Sequence, residues 1–267
     1  MDAVSPADTH PTRVFAVINP IHRHSARARA ELEGRAAASG LDLTVLVTTP
    51  ADPGPGQARA ALDAGATSVV AVGGDGTVRG IAGVLAGSGV PLGIVPTGTA
   101  NLFARNLGLR PGRLAANAAT ALSGTPRATD VGWSCFRRGD SWTPEEPFLI
   151  VAGLGHDAAT VLDTSTALKR RLRWLAYLFA GAGHLLRRPI ELDLAADRQP
   201  ARRVRTWCVL AGNCGRLPGG IVVFPDADPG DGVLETLLVP LRHPAQWVAV
   251  AAKGLFRLRC EVAALDY

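Results

Sequence analysis

Residues 69–77 read Val-Val-Ala-Val-Gly-Gly-Asp-Gly-Thr, an apolar run that empties into three glycines, a carboxylate and a hydroxyl. A short apolar run bounded by glycine predicts a buried strand, and the glycines after it let backbone approach a ligand with no Cβ in the way. Gly73, Gly74 and Gly76 can then turn successive N–H groups toward phosphate oxygens, with the Thr77 hydroxyl as a further donor. Small and apolar residues at helical spacing from Val78 to Leu85 predict a helix opened by this turn, and a helix N-terminus favours anions. Asp75 is the odd member. A carboxylate facing phosphates is repulsive unless a cation lies between them, so a phosphate site here implies Mg2+ held directly or through water. On these residues alone a plain Gly-Asp tight turn stands as an equal alternative.

A second strand-like run, Val90 to Val95, ends in Pro96-Thr97-Gly98-Thr99-Ala100-Asn101. It would bring another polar turn to the same sheet edge, where open α/β sheets bind ligands. Thr99 and Asn101 are candidates to bind phosphate or to order that loop. Further on, Asp228 and Asp231 stand in a turn-rich segment, Phe224-Pro225-Asp226-Ala227-Asp228-Pro229-Gly230-Asp231-Gly232-Val233. Two carboxylates with neighbouring carbonyls suit a hard cation, and a solvated Asp-Gly turn is the competing reading.

Gly73-Gly74-Asp75-Gly76-Thr77 followed by Pro96-Thr97-Gly98-Thr99-Ala100-Asn101-Leu102-Phe103-Ala104-Arg105 resembles the catalytic domain of the diacylglycerol kinase family of lipid kinases. The pentapeptide is shared with NAD kinases, whereas Gly-Thr-Ala-Asn-x-Phe-Ala-Arg is the lipid-kinase pattern. Residues 148–159 and 219–235 resemble the family's second domain. The resemblance implies an ATP- and Mg2+-dependent kinase that phosphorylates a hydroxyl of diacylglycerol or a related lipid at a membrane surface, in phospholipid metabolism. It implies nucleotide contacts from Asn19, Thr48, Gly73, Gly74, Asp75, Gly76, Thr77, Thr99 and Asn101, and gives Asp75 a catalytic role through the metal. It also implies an Mg2+ site at Asp231 with carbonyls such as those of Asp228 and Val233. A homodimer is allowed.

The sequence departs from the family in three places. Asn19-Pro20 continues Ile21-His22-Arg23-His24-Ser25 where a small, flexible pair is usual. His22 and His24 are expected to be exposed loop residues rather than metal ligands, since no third ligand lies nearby in sequence. Arg79-Gly80 stands where the family carries Asn and then Glu, which removes that Glu's contact. The acidic Asp-Gly-Glu or Asp-Gly-Asp motif that supplies the family's general base is not found, and Asp266 does not replace it. A carboxylate base is worth on the order of 10²–10⁴ in rate. The competing expectation is therefore an inactive protein that binds nucleotide or lipid, and a more distant one is an NAD-kinase-like enzyme.

Strands alternating with helices up to Asp130 predict a Rossmann-like, doubly wound parallel sheet that carries all these loops at its strand ends. Strands are expected at Val14–Ile18, Leu43–Val47, from Val69 and at Val90–Val95, with helices at Ala26–Ser39 and Gln57–Ala64. After that the pattern changes to a hairpin-like stretch at 137–147. Alternating runs at Phe148–Val151, Ile190–Leu194, Thr206–Leu210 and Leu234–Val239 predict an antiparallel, β-rich sandwich. The expected organisation is a polar, disordered tail at 1–11, a nucleotide-binding domain at 12–131 and the β-rich domain at 132–267. Asp157 is expected to cap a helix. The basic stretch from Lys169 to Arg188, with Trp174 and Tyr177, is expected to be a helix packed on its own domain, with docking on an anionic membrane as the alternative.

With 267 residues the chain has room for two domains, and 47% hydrophobic residues place it among globular proteins. Net charge is +5, with arginines spread without aromatic interleaving, which disfavours nucleic acid and suits phosphate substrates or a membrane surface. The four cysteines form no Cys-x-x-Cys pair, so idle thiols in a reducing compartment are expected. The N-terminus lacks a signal peptide's basic and apolar regions, and no apolar run is long enough to span a bilayer. The expected location is cytoplasmic, peripheral to the inner membrane face.

Overall fold

The computed structural model of the chain describes residues 12–155, 189–217 and 222–239. The tail at 1–11, His156, Asp157, the basic stretch at 169–188, Cys260 and Asp266 lie outside the described residues. Two compact units divide between Arg127 and Ala128.

In the first unit, β1 (Arg13–Ile18), β2 (Asp42–Val47), β3 (Ser68–Gly73) and β4 (Leu92–Pro96) form one parallel sheet in the order β2-β1-β3-β4. The helices are α1 (Ser25–Ala38), α2 (Pro55–Asp63), α3 (Asp75–Leu85), α4 (Leu102–Asn106) and α5 (Leu114–Ser123). Helices α1 and α5 cover one face, and α2 and α3 the other. Successive strand side chains alternate faces, so Val14, Ala16, Ile18, Val70 and Val72 pack with Ala28, Leu32, Leu114 and Ala118. Phe15, Val17, Val69 and Ala71 turn to the other face and are also buried. This is why β1 and β3 read as unbroken apolar runs: a strand covered on both sides has no solvent face to mark with polar residues. Each fully buried Val contributes roughly 1.5–3 kcal/mol.

The doubly wound α/β class expected from the sequence is what the structure shows. Element boundaries moved where local hydrogen bonding outranked apolar pattern. Most consequential, α3 begins at Asp75 with Gly74 as its N-cap. The turn predicted over Gly73–Thr77 is thus compressed to one residue, and Asp75, Gly76 and Thr77 form the first helical turn.

The second unit is built of separate antiparallel sheets. Strands β5 (Gly132–Ser134) and β8 (Glu146–Phe148) pair, and between them β6 (Arg137–Arg138) and β7 (Ser141–Trp142) form the hairpin. Strand β9 (Val151–Gly155) pairs with β12 (Cys208–Gly212), which pairs with β13 (Glu235–Leu238), while β10 (Ile190–Leu194) pairs with β11 (Arg202–Thr206). Two predicted strands are broken: Phe148–Val151 is split at Leu149-Ile150 between β8 and β9, and Thr206–Leu210 is broken at Trp207, where the chain leaves one sheet for another. The buried Thr206 hydroxyl donates to the Cys208 carbonyl at 2.7 Å and accepts from the Val239 N–H at 3.1 Å, which fixes that corner. Trp207, Cys208, Phe224, Leu237 and Val239 form the local core.

Candidate nucleotide site

In the order β2-β1-β3-β4 the chain winds outward in opposite directions from β1 and β3, so a crevice forms beyond their carboxyl ends. Asn19 follows β1 and Gly74 follows β3. The Asn19 N–H donates to the Val72 carbonyl at 2.9 Å, and the Asn19 side-chain amide donates to Thr77 Oγ1 at 3.2 Å. Its Oδ1 accepts from the Ile21 N–H at 3.2 Å, and its carbonyl accepts from the Ser25 hydroxyl at 2.5 Å. Asn19 therefore holds the β1–α1 loop to the first turn of α3. Thr77 is buried, and its hydroxyl is engaged by Asn19.

Two glycines are required by close approach. A Cβ on Gly73 would stand 2.7 Å from Thr77 Cβ, and one on Gly98 would stand 2.5 Å from the Gly74 Cα. The Thr77 side chain thus lies on Gly73, while the β4–α4 loop lies directly on the N-cap of α3. Gly76 differs: beyond its chain neighbours and its own helix backbone, nothing among the described residues comes within 4 Å of the place its Cβ would take. Glycine in a helix costs roughly 1 kcal/mol relative to alanine, and no packing demands it here.

Asp75 accepts the Phe103 backbone N–H at 3.1 Å through Oδ1. Phe103 lies in the first turn of α4, whose own N-cap, Asn101, is held in the left-handed region at φ 47° and makes no side-chain cap. Asp75 supplies that missing cap from another helix, in a position also favoured by the α4 dipole. Asn101 instead donates through Nδ2 to the Gly98 carbonyl at 2.7 Å.

Two buried polar atoms of the β4–α4 loop are orphaned. Thr97 and Asn101 are 6% and 3% exposed, and Thr97 Oγ1 and Asn101 Oδ1 have no hydrogen-bond partner. Asn101 Oδ1 would stand 2.9 Å from a Cβ on Gly98, so it lies beside the packed glycines. Buried polar atoms without partners cost about 1–3 kcal/mol each. A donor group of a ligand, or a water it binds, seated against Gly98 would remove that cost at Asn101 Oδ1, and the open side of Gly76 in the first turn of α3 lets a phosphate approach the backbone. These residues fit a nucleotide.

Thr97 was not among the residues singled out by sequence, although its hydroxyl directly follows β4. Thr99, which was, is exposed and makes no hydrogen bond among the described residues. Thr48 is buried just beyond the edge strand β2 and donates its N–H to the Ile18 carbonyl at 2.9 Å. His22 and His24, both expected to be exposed, are half-buried instead, and the ring of His22 lies against Gly74. Burial holds the His22 pKa below the ordinary histidine value.

In the second unit, Asp228 Oδ1 accepts the Gly230 N–H at 3.1 Å and Asp231 Oδ1 accepts the Val233 N–H at 2.9 Å. The Asp231 N–H donates to the Asp228 carbonyl at 3.3 Å, and Asp130 ties the turn down by accepting the Gly232 N–H at 2.8 Å. The acidic turn is thus organised by its own backbone. The second oxygen of each of Asp228 and Asp231 makes no hydrogen bond among the described residues, and carboxylate oxygen is a ligand Mg2+ takes. Among the described residues no three His, Cys, Asp or Glu side chains converge as a metal cluster. Glu235, which sequence reasoning passed over, is half-buried and its Oε2 has no partner. Burial pushes its carboxyl above the ordinary value, and the charges of Asp231 and Asp226 push the same way. No helix among the described residues is long and apolar enough to cross a membrane.

Comparison with known proteins gives the family and the fold. The profile described as the diacylglycerol kinase catalytic domain matches residues 13–134. A protein named "Diacylglycerol kinase" from Mycobacterium tuberculosis is 32% identical over 230 residues, which span 84% of this chain and 72% of that protein. One named "Probable lipid kinase YegS-like" from Pseudomonas fluorescens is 36% identical over 219 residues, 79% of this chain and 68% of that one. A crystal structure of a diacylglycerol kinase from Bacillus anthracis str. Sterne superposes with a TM-score of 0.68 over 94% of this chain and 81% of its own, at 22% identity, and shares the fold.

Proposed function

The chain belongs to the diacylglycerol kinase catalytic-domain family of lipid kinases, and from that premise we propose that it transfers the γ-phosphate of ATP to a hydroxyl of diacylglycerol or a related lipid. The observation that carries this reading is the junction of the two sequence motifs: Gly98 lies on Gly74, Asp75 caps α4, and Asn101 Oδ1 stands unpartnered beside Gly98.

Phosphoryl transfer needs the phosphates positioned and their charge offset. In this reading the backbone of Gly74 to Thr77 lies along the phosphates, with Gly76 as the point of closest approach. Asn101 Oδ1 and the Thr97 hydroxyl take hydrogen bonds from the nucleotide or its bound waters, and Thr99 and Thr48 line the approach. Asn19 and Thr77 keep the two loops in register. Mg2+ would supply charge neutralisation at the β- and γ-phosphates, and Asp75 Oδ2, which makes no hydrogen bond among the described residues, is the oxygen that would hold it. A second Mg2+ would be held by Asp228, Asp231 and the Val233 carbonyl. A cytoplasmic protein, peripheral to the membrane that carries its substrate and able to pair as a homodimer, belongs to the same reading.

Transfer of label from radiolabelled ATP to mixed-lipid vesicles tests it. Labelled phosphatidate or another lipid phosphate is the expected product. Intact ATP binding with no labelled lipid would sink the kinase reading in favour of an inactive nucleotide-binding protein, and label on NAD alone would move the chain to the NAD-kinase class.

A further inference from the structure

The β1–α1 loop departs from a small, flexible pair by carrying Ile21 and His22, and the structure shows where that histidine goes. Its backbone is fixed from both sides: the Ile21 N–H is tied to Asn19 Oδ1, and the His22 carbonyl accepts the Ser25 N–H at 3.0 Å. Its ring edge lies over the N-cap of α3, so that a Cβ on Gly74 would stand 3.5 Å from Nε2 and 3.9 Å from Cε1. His24, two residues on, is engaged elsewhere, accepting from Arg23 Nε at 2.8 Å.

His22 thus rims the N-terminus of an eleven-residue helix that has no side-chain cap. Beside Gly98, which packs on that N-terminus, lies the buried, unpartnered Asn101 Oδ1, and Thr97, whose buried hydroxyl is also unpartnered, precedes Gly98 in the same loop. The glycine cap puts no side chain between the ring nitrogen and the N-terminus of α3, and the ring makes no ion pair with a carboxylate among the described residues.

We propose that His22 is a phosphate-binding residue of the nucleotide site, donating from Nε2 to a phosphate oxygen seated at the N-terminus of α3. The proposal rests on the kinase reading and refines it, because a side chain here does work that a small pair would leave to backbone amides. It also assigns selectivity. A donor at the phosphate end separates nucleotides by phosphate number and leaves the base unread. Burial lowers the proton affinity of His22, so the free chain presents a neutral ring. Such a ring carries a donor to the phosphates without adding a buried charge when the site is empty.

Calorimetric titration of the full chain with AMP, ADP and ATP in the presence of Mg2+ tests this, with His22→Ala and His22→Gln beside the unaltered protein. A hydrogen bond to a charged group is worth roughly tenfold in affinity or more, so His22→Ala should weaken ADP and ATP by at least about tenfold while AMP shifts far less. His22→Gln keeps a neutral donor of similar reach and should recover most of the loss. Thermal unfolding of both variants should match the unaltered chain. Equal weakening of all three nucleotides would reveal a merely structural residue and overturn the proposal, as would unchanged ADP and ATP binding by His22→Ala. Absence of nucleotide binding by the unaltered chain would overturn the kinase reading together with this one.

Discussion

Asp75 Oδ1 and the Phe103 N–H are joined by a 3.1 Å hydrogen bond across 28 residues of sequence, so that a carboxylate in the first turn of α3 caps α4. This bond ties one glycine-rich motif to the other. On the proposed reading it also divides Asp75 between two tasks, one oxygen for the cap and the other for a cation.

The two tasks separate by substitution. Asp75→Ala leaves the Phe103 N–H without its acceptor and should cost about 1 kcal/mol, within the range seen for lost helix caps, while the fold stays cooperative. Asp75→Asn keeps an acceptor oxygen and should lose less. Both variants should lose Mg2+-dependent ATP binding and turnover. Denaturant unfolding and calorimetry with and without Mg2+ read the two effects, and unchanged activity in either variant would refute a role for the charge.

Gly98→Ala and Gly76→Ala should move in opposite directions. At Gly98 the new methyl meets the Gly74 backbone, which cannot yield as a flexible side chain would, so a loss of about 1–3 kcal/mol is expected. At Gly76 the methyl meets nothing beyond its own helix among the described residues, and the gain in helix propensity should stabilise the chain by up to about 1 kcal/mol. The same methyl would stand where phosphate approaches, so Gly76→Ala should bind ATP more weakly although it is more stable. An alanine there that left ATP affinity intact would remove Gly76 from the site.

Glu235 makes stability depend on pH with a definite sign. Its folded-state pKa is raised by burial first and then by Asp231 and Asp226, so the protonated form is the favoured one. The contribution is fully present below the ordinary carboxylate pKa and lost as pH rises through the raised value. Glu235→Gln should therefore be more stable than the parent at pH 7.5, the difference vanishing toward pH 4. Unfolding midpoints across that window check it, and a variant less stable at pH 7.5 would contradict the assignment.

The thiols should differ sharply in reactivity. Cys135 is exposed, whereas Cys208 and Cys214 are buried, and burial with the nearby Glu235 charge pushes Cys214 up to about 12. At pH 8 a thiol reagent should modify Cys135 promptly and leave Cys208 and Cys214 unmodified until the chain unfolds, because the thiolate is the reacting form. Mass mapping of the labelled peptides reads this directly. Rapid labelling of Cys214 in the folded protein would show that its pocket opens.

Much of the architecture was legible before any coordinates. The apolar runs of β1, β3 and β4, punctuated by Asn19, Gly73-Gly74 and Thr97-Gly98, identify buried parallel strands and their polar ends, because side-chain periodicity and glycine reflect local backbone demands. The limits of α3 were less legible. Asp75, Gly76 and Thr77 have low helix propensity, yet they enter the helix because Asp75 is held by Phe103 and Thr77 by Asn19. Likewise the Thr206–Leu210 run reads as one strand until the hydroxyl of Thr206 turns the chain.

By itself the sequence determined the family, the class of fold and the two motifs whose chemistry suits a nucleotide, since these depend on residue types at fixed spacing. Only the tertiary structure decided how the motif residues divide their labour: Asn19 and Thr77 as mutual anchors, Asp75 as a cap from a distance, Thr97 and Asn101 as orphaned acceptors, and His22 over Gly74. Those assignments depend on which atoms remain without partners once strands distant in sequence are brought side by side. That is a property of packing, and local sequence does not encode it.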